Sequence, residues 1–270
     1  MLIDSDVYRS LARLHTSYNE MLAASIRSLD ELTSAEIALE SDWQHALEPA
    51  LRDLYWKPLA GGLASAPERP EELRKWIEDG LSTALATVAL LSLLRRFIRR
   101  GVNIGGYLAF DILDIDGLFG LNDPVYVALI DEHTDMLVTA GSDMSLIDTT
   151  VEHLAVGIPA AKASDKPLLA IAEMIAGWAL YRSTTIAITE QTRAIANGMN
   201  WTYKENGVER QKFRTRADDR VCFICSPLDG HVMAVSNIPS ELTIPKHPRC
   251  RCYYEAVTTG WHRPTSIWRG

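Results

Sequence analysis

The sequence predicts an α+β protein, with a mostly helical N-terminal region followed by a small β-rich module near the C-terminal end. Three observations predict it. Apolar residues recur every three or four positions through the first two thirds, which is the helical period. Past Gly198 the pattern changes to short extended runs separated by turn formers. All four cysteines, Cys222, Cys225, Cys250 and Cys252, fall within that second part.

The helical part reads in order. Val7, Leu11, Leu14, Tyr18, Leu22, Ile26 and Leu29 form one stripe, with Asp4 or Ser5 placed to cap it. A second helix is expected from about Ser34 to Tyr55, with Ile37, Trp43, Leu47, Leu51 and Leu54 on one side. Leu59 to Pro70 carries glycines, prolines and small residues and reads as a loop. Pro70-Glu-Glu suits a first helical turn, where proline leaves no bond unmade and carboxylates face the positive end of the dipole. That helix is expected to stop at Gly80, and an apolar one to follow through Arg100 with Gly101 as its cap.

Leu81 to Leu94 is the most apolar run. It is shorter than the ~20 residues a bilayer requires, so a buried helix is expected and no membrane contact. Gly101 to Pro167 reads as short helices joined by loops, with His133 and His153 as ordinary helix residues. From Asp165 a clearer helix runs to Asn197, with Gly198 as its stop and Thr189, Glu190 and Arg193 on a solvated face. Beyond it, Trp201-Thr-Tyr203 and Gln211 to Thr215 are expected as strands flanking an Asn206-Gly207 hairpin turn. Further strands are expected at Val232 to Val235 and Cys252 to Val257, then a tail from Thr258 carrying Trp261 and Trp268.

The cysteine pattern points to a metal. Cys222-Phe-Ile-Cys225 offers two thiolates from one turn, and His247-Pro-Arg-Cys250-Arg-Cys252 offers three more ligands. Zinc in a structural site takes four such groups in a tetrahedron. Cys222, Cys225, His247 and Cys250 are the expected set, with Cys252 as the reserve ligand, since Cys250 and Cys252 share one face of an extended segment. Two disulfides are the alternative, but those belong to oxidising compartments, and Met1-Leu-Ile-Asp-Ser-Asp has neither the basic start nor the apolar core of a secretory leader. A catalytic zinc would need an open position beside a base such as His231 or Asp229. Asp229-Gly230 reads better as a turn.

The formal net charge of −8 argues against nucleic-acid binding over the whole surface. From Trp201 onward the balance reverses, with eleven Lys and Arg against seven Asp and Glu. Cations beside an anionic zinc–thiolate cluster account for this. A nucleic-acid contact through Arg214, Arg216, Arg249 and Arg251, with Arg210 and Lys212, is the sharper alternative.

The residues from about Leu180 to Val257 resemble the phage Mu protein F-like minor head proteins, also called phage head morphogenesis proteins. The resemblance is carried by the helix Arg182 to Gly198, by Phe213-Arg-Thr-Arg-Ala-Asp218-Asp219-Arg220-Val221-Cys222, by Leu228-Asp229-Gly230, and by His247-Pro248-Arg-Cys250-Arg251-Cys252. The chain departs from the family pattern at Ile188, where an arginine is common before Thr189-Glu190, and at Phe213, where a tryptophan is usual. The domain division drawn from this is a helical variable region over 1–164, a Mu F-like domain over 165–257 and a tail over 258–270.

The resemblance implies a structural, non-enzymatic minor capsid component of a tailed phage or prophage, acting in head assembly at the portal or the capsid interior. Its implied partners are the portal protein, the major capsid protein or both, and packaged DNA. Its implied location is the virion, with the host cytoplasm during assembly. The rival readings are a nucleic-acid-binding zinc module and a zinc-dependent hydrolase or toxin-associated domain.

Overall fold

The computed structural model describes residues 29–85, 88–115, 119, 124–138, 145–216 and 221–262. The stripe from Val7 to Ile26 lies outside them, as does Trp268. Six helices are described: α1 (Leu29–Trp56), α2 (Pro70–Leu85), α3 (Val88–Ile112), α4 (Pro124–Val138), α5 (Leu146–Lys162) and α6 (Pro167–Glu205). Three short strands follow: β1 (Arg210–Arg214), β2 (Val232–Ala234) and β3 (Tyr253–Ala256). The expected α+β architecture, mostly helical with a small sheet at the C-terminal end, is therefore present. No described helix is long and apolar enough to cross a membrane.

The described residues divide into two compact units, one within 40–98 and 127–187, the other within 29–39, 99–126 and 188–262. In the first, Leu39 at the boundary begins a buried row that continues through Trp43, Leu47, Leu51 and Leu54 at near-helical spacing. Ile37, expected on that face, is exposed, because the row steps by four from Leu39 and leaves Ile37 on the opposite side. Trp43 stacks on Phe97 at 5.2 Å between ring centroids, and Tyr55 meets Trp178 edge-on. α2 packs against α5, where Arg74 pairs with Glu152 at 2.7 Å. Pro70 opens α2 with Glu71 and Glu72 behind it, as its sequence suggested. Ser145 caps α5 by accepting from the Asp148 N–H.

The second unit holds the sheet. Two features expected to end helices do not end them. Gly101 lies inside α3 and Gly198 inside α6. A Cβ at Gly101 would sit 2.6 Å from the Ala194 Cβ, one at Gly105 2.1 Å from the Ile195 carbonyl oxygen, and one at Gly198 2.2 Å from the Val102 carbonyl oxygen. These glycines let two helix backbones touch. Gly80, the third expected stop, is likewise inside α2, with Pro58 2.8 Å from where its Cβ would be.

The expected strand Trp201–Tyr203 is helical, and Asn206-Gly207 is not a hairpin turn but the end of α6. Gly207 takes φ of +68°, its N–H donates to the Lys204 carbonyl at 3.2 Å, and Val208 N–H donates to the Tyr203 carbonyl at 2.9 Å. That pair of bonds is the Schellman closure. β1 is the central strand, antiparallel to β2 on one side and β3 on the other, with Gln211 opposite both Met233 and Ala256. Its inward residues Gln211 and Phe213 are fully buried. The sheet is tied to α6 by the Tyr203 hydroxyl, which donates to the Tyr254 carbonyl at 3.1 Å, and by the Gln211 side-chain amide, which donates to Asn200 at 2.8 Å. The tail returns to the same helix end, where Trp261 Nε1 donates to the Asn206 carbonyl.

The glycine contacts separate two substitutions. Gly105→Ala is expected to cost about 1–3 kcal/mol, as overpacking against backbone does. Gly177→Ala, with open space around its Cβ, is expected to gain about 0.5–1 kcal/mol. Denaturant unfolding of both full-length variants measures the contrast.

Candidate metal centre

The site is built from two segments that the sheet brings together. Cys222 to Cys225 turns tightly, with Ser226 N–H donating to the Cys222 carbonyl at 3.0 Å and Cys225 N–H donating to the Cys222 sulfur at 3.3 Å. The next turn ties this segment to β1. Gly230, at φ +79°, donates to the Phe213 carbonyl at 2.8 Å. Asp229 accepts from Thr215 N–H at 2.8 Å and from Arg214 at 3.2 Å. Asp229 is thus a turn residue engaged in holding the strand, and His231 is exposed on the same turn.

The second segment closes through Cys250 N–H donating to the His247 carbonyl at 3.1 Å. His247 Nδ1 donates to the Pro248 carbonyl at 2.8 Å, leaving Nε2 as the acceptor nitrogen. That nitrogen lies 3.0 Å from the Cys222 sulfur and 3.2 Å from the Cys225 sulfur, and Cys225 lies 3.9 Å from Cys250. In a tetrahedron with metal–ligand lengths of about 2.0–2.3 Å, ligand atoms are about 3.5–3.8 Å apart. The sulfur pair matches that edge and the imidazole contacts lie inside it. A ring N–H fixed on a backbone carbonyl is also the usual second contact of a metal-bound histidine.

All four cysteines are free thiols. The five candidate ligands fall into two triads that share Cys225: Cys222, Cys225 and His247, and Cys225, Cys250 and Cys252. Within each triad the ligand atoms lie within 4.8 Å of one another. Cys222, Cys225, His247 and Cys252 line a cavity of about 20 Å³, beside Arg216, Arg249 and Arg251. This volume admits one water-sized occupant.

The thiols shift one another's protonation. A hydrogen bond from Cys252 pushes the Cys250 thiol down to about 5, and Cys252, which shares that bond, is pushed up. Burial pushes Cys225 up to about 12. A divalent cation would bind the ligating cysteines as thiolates.

The four arginines expected at a nucleic-acid contact have different surroundings. Arg214 pairs with Asp229 and with Glu255 at 3.0 Å. Arg216 is 6% exposed and lies over the Tyr253 ring at 5.0 Å. Arg249 is exposed and Arg251 is half-buried. Arg216, Arg249 and Arg251 line the same cavity as the cysteines.

Sequence reasoning missed α6's share in the site. Glu190, expected on a solvated face, is buried, and so is Thr192. Glu190 pairs with Arg193 at 3.1 Å, Thr192 Oγ1 donates to the Cys250 carbonyl at 2.7 Å, and Thr189 Oγ1 accepts from Arg249 N–H at 2.9 Å. The only sequence signal was that Thr189-Glu190 stands inside the segment carrying the family resemblance.

Fold and site together define a class: a helical protein whose C-terminal sheet gathers thiols and an imidazole able to hold a metal ion. Its kinship is narrower. Residues 138–255, somewhat under half of the chain, match the family model described as Phage Mu protein F like protein, and this stretch is similar to that family. The match runs from the end of α4 into β3 and reaches further toward the N-terminus than the motifs beginning near Leu180. Searches of curated proteins and of solved structures gave no match.

Two outcomes are expected of the cluster. Cys222→Ser or Cys225→Ser should weaken metal binding by more than about 100-fold, beyond what outer-shell changes cost, whereas Cys252→Ser should retain the metal; metal analysis after dialysis distinguishes them. Protons compete with the ion for thiolate and imidazole, so acidification should release metal and neutralisation restore it, as read by a chromophoric chelator.

Proposed function

We propose that the chain is a structural minor head protein of a tailed phage or prophage, acting in head morphogenesis at the portal or the capsid interior. The observation that carries this reading is the family match over 138–255, which includes nearly the whole of the thiol–imidazole module. In this reading the ion is zinc, held by Cys222, Cys225, His247 and Cys250, with Cys252 in reserve. Soft thiolates gathered with one imidazole favour zinc over the oxygen-seeking cations. The ion's part is to hold the small sheet closed, since metal-binding free energy becomes folding free energy in such modules.

The role is structural and not catalytic. Asp229, the carboxylate that a hydrolytic reading would use as base, is occupied by Thr215 and Arg214. The nucleic-acid reading has less support, because Arg214 is paired with carboxylates and Arg216 is buried against Tyr253. The partners in this reading are the portal protein, the major capsid protein or both, and packaged DNA. The particle is its final location, reached from the host cytoplasm.

The test is co-expression with the portal and major capsid proteins of the same phage or prophage, followed by sedimentation. The chain is expected to travel with portal rings or with assembled heads. Its remaining free while both partners assemble would overturn the proposal.

A further inference from the structure

The connection His247-Pro248-Arg249-Cys250 must bring an imidazole nitrogen and a sulfur to one point. It does so with a four-residue turn closed by the Cys250 N–H on the His247 carbonyl. Proline at the second position suits such a turn. The third position takes φ of +62° at Arg249, a left-handed conformation that glycine or asparagine ordinarily occupies. A non-glycine residue stays in that region only where its surroundings hold it.

Both peptide groups flanking the turn's end are held, and by one helix. Thr189 Oγ1 accepts the Arg249 N–H at 2.9 Å, and Thr192 Oγ1 donates to the Cys250 carbonyl at 2.7 Å. The two threonines are three residues apart and so share one face of α6. Thr192 is buried, and so is Cys250. The bond between them bridges 58 positions of sequence and lies on a ligand-bearing residue itself.

We propose that Thr189 and Thr192 are positioning residues for the metal loop: α6 fixes the left-handed turn at Arg249, so that His247 and Cys250 face the metal before the ion arrives. The inference rests on the metal reading above. It makes the helix part of the centre, although it contributes no ligand. It also gives the Thr189-Glu190 segment a physical task that a solvated face does not.

The test uses the full chain, loaded with Zn(II) or with Co(II) as a spectroscopic stand-in, in competition with a chromophoric chelator. Thr192→Val and Thr189→Val are expected to bind about 10- to 100-fold more weakly, the usual loss for an outer-shell contact. The Co(II) absorption bands are expected to shift with them. Thr192→Ser, which keeps the hydroxyl, should restore binding. Thr202→Val is the matched control, because its buried hydroxyl donates only to Gly198 within the same helix. It should melt lower and bind metal like the wild type.

Wild-type affinity in both Thr189→Val and Thr192→Val would overturn the proposal and leave the metal reading standing. A wild-type chain that binds neither ion would overturn the metal reading and this one with it. Should Thr192→Val fail to fold, Thr189→Val decides alone, since its partner N–H belongs to an exposed residue.

Discussion

The C-terminal module depends on two chain segments being held together at one point. Its three strands are five, three and four residues long, too short to be stable without support. The Cys222–Cys225 turn and the His247–Cys250 turn meet at the edge of this sheet, and four thiols and an imidazole crowd into a small volume. Burial pushes the Cys225 thiol up, and a hydrogen bond from Cys252 pushes Cys250 down. Sulfur and imidazole atoms gathered within 4.8 Å of one another in two triads that share Cys225 are the physical reason for reading it as a metal centre.

Around that point α6 acts as the scaffold, and its surfaces have separate tasks. Gly198 admits the backbone of α3, Asn200 and Tyr203 hold the sheet, and Thr189 and Thr192 hold the metal loop. A helix covered on several sides does not show a single apolar stripe. This explains why its polar residues resemble a solvated face when read in sequence alone.

The sequence made the helices, the sheet and the ligand types legible because their signals are local. Period, turn residues and Cys-x-x-Cys spacing act over a few positions. The errors came where one residue type serves two physical ends. Glycine permits a helix to stop and also permits two helices to touch, and at positions 80, 101 and 198 only the second applies. Trp201-Thr-Tyr203 before Asn206-Gly207 has the propensity of a hairpin, but burial of Tyr203 against the sheet keeps it helical and turns Gly207 into a cap. Ile37 was placed on the buried face because several phases fit a sparse stripe. The task of Thr192 was not legible at all, since its partner lies far along the chain.

The central claim is that one ion joins Cys222, Cys225, His247 and Cys250 as a structural clamp. X-ray absorption at the zinc edge on protein purified without added metal tests it most directly. The account predicts one zinc per chain with three sulfur neighbours at about 2.3 Å and one nitrogen at about 2.0 Å. A sample without zinc whose cysteines are joined as disulfides, or a spectrum dominated by oxygen neighbours, would contradict it.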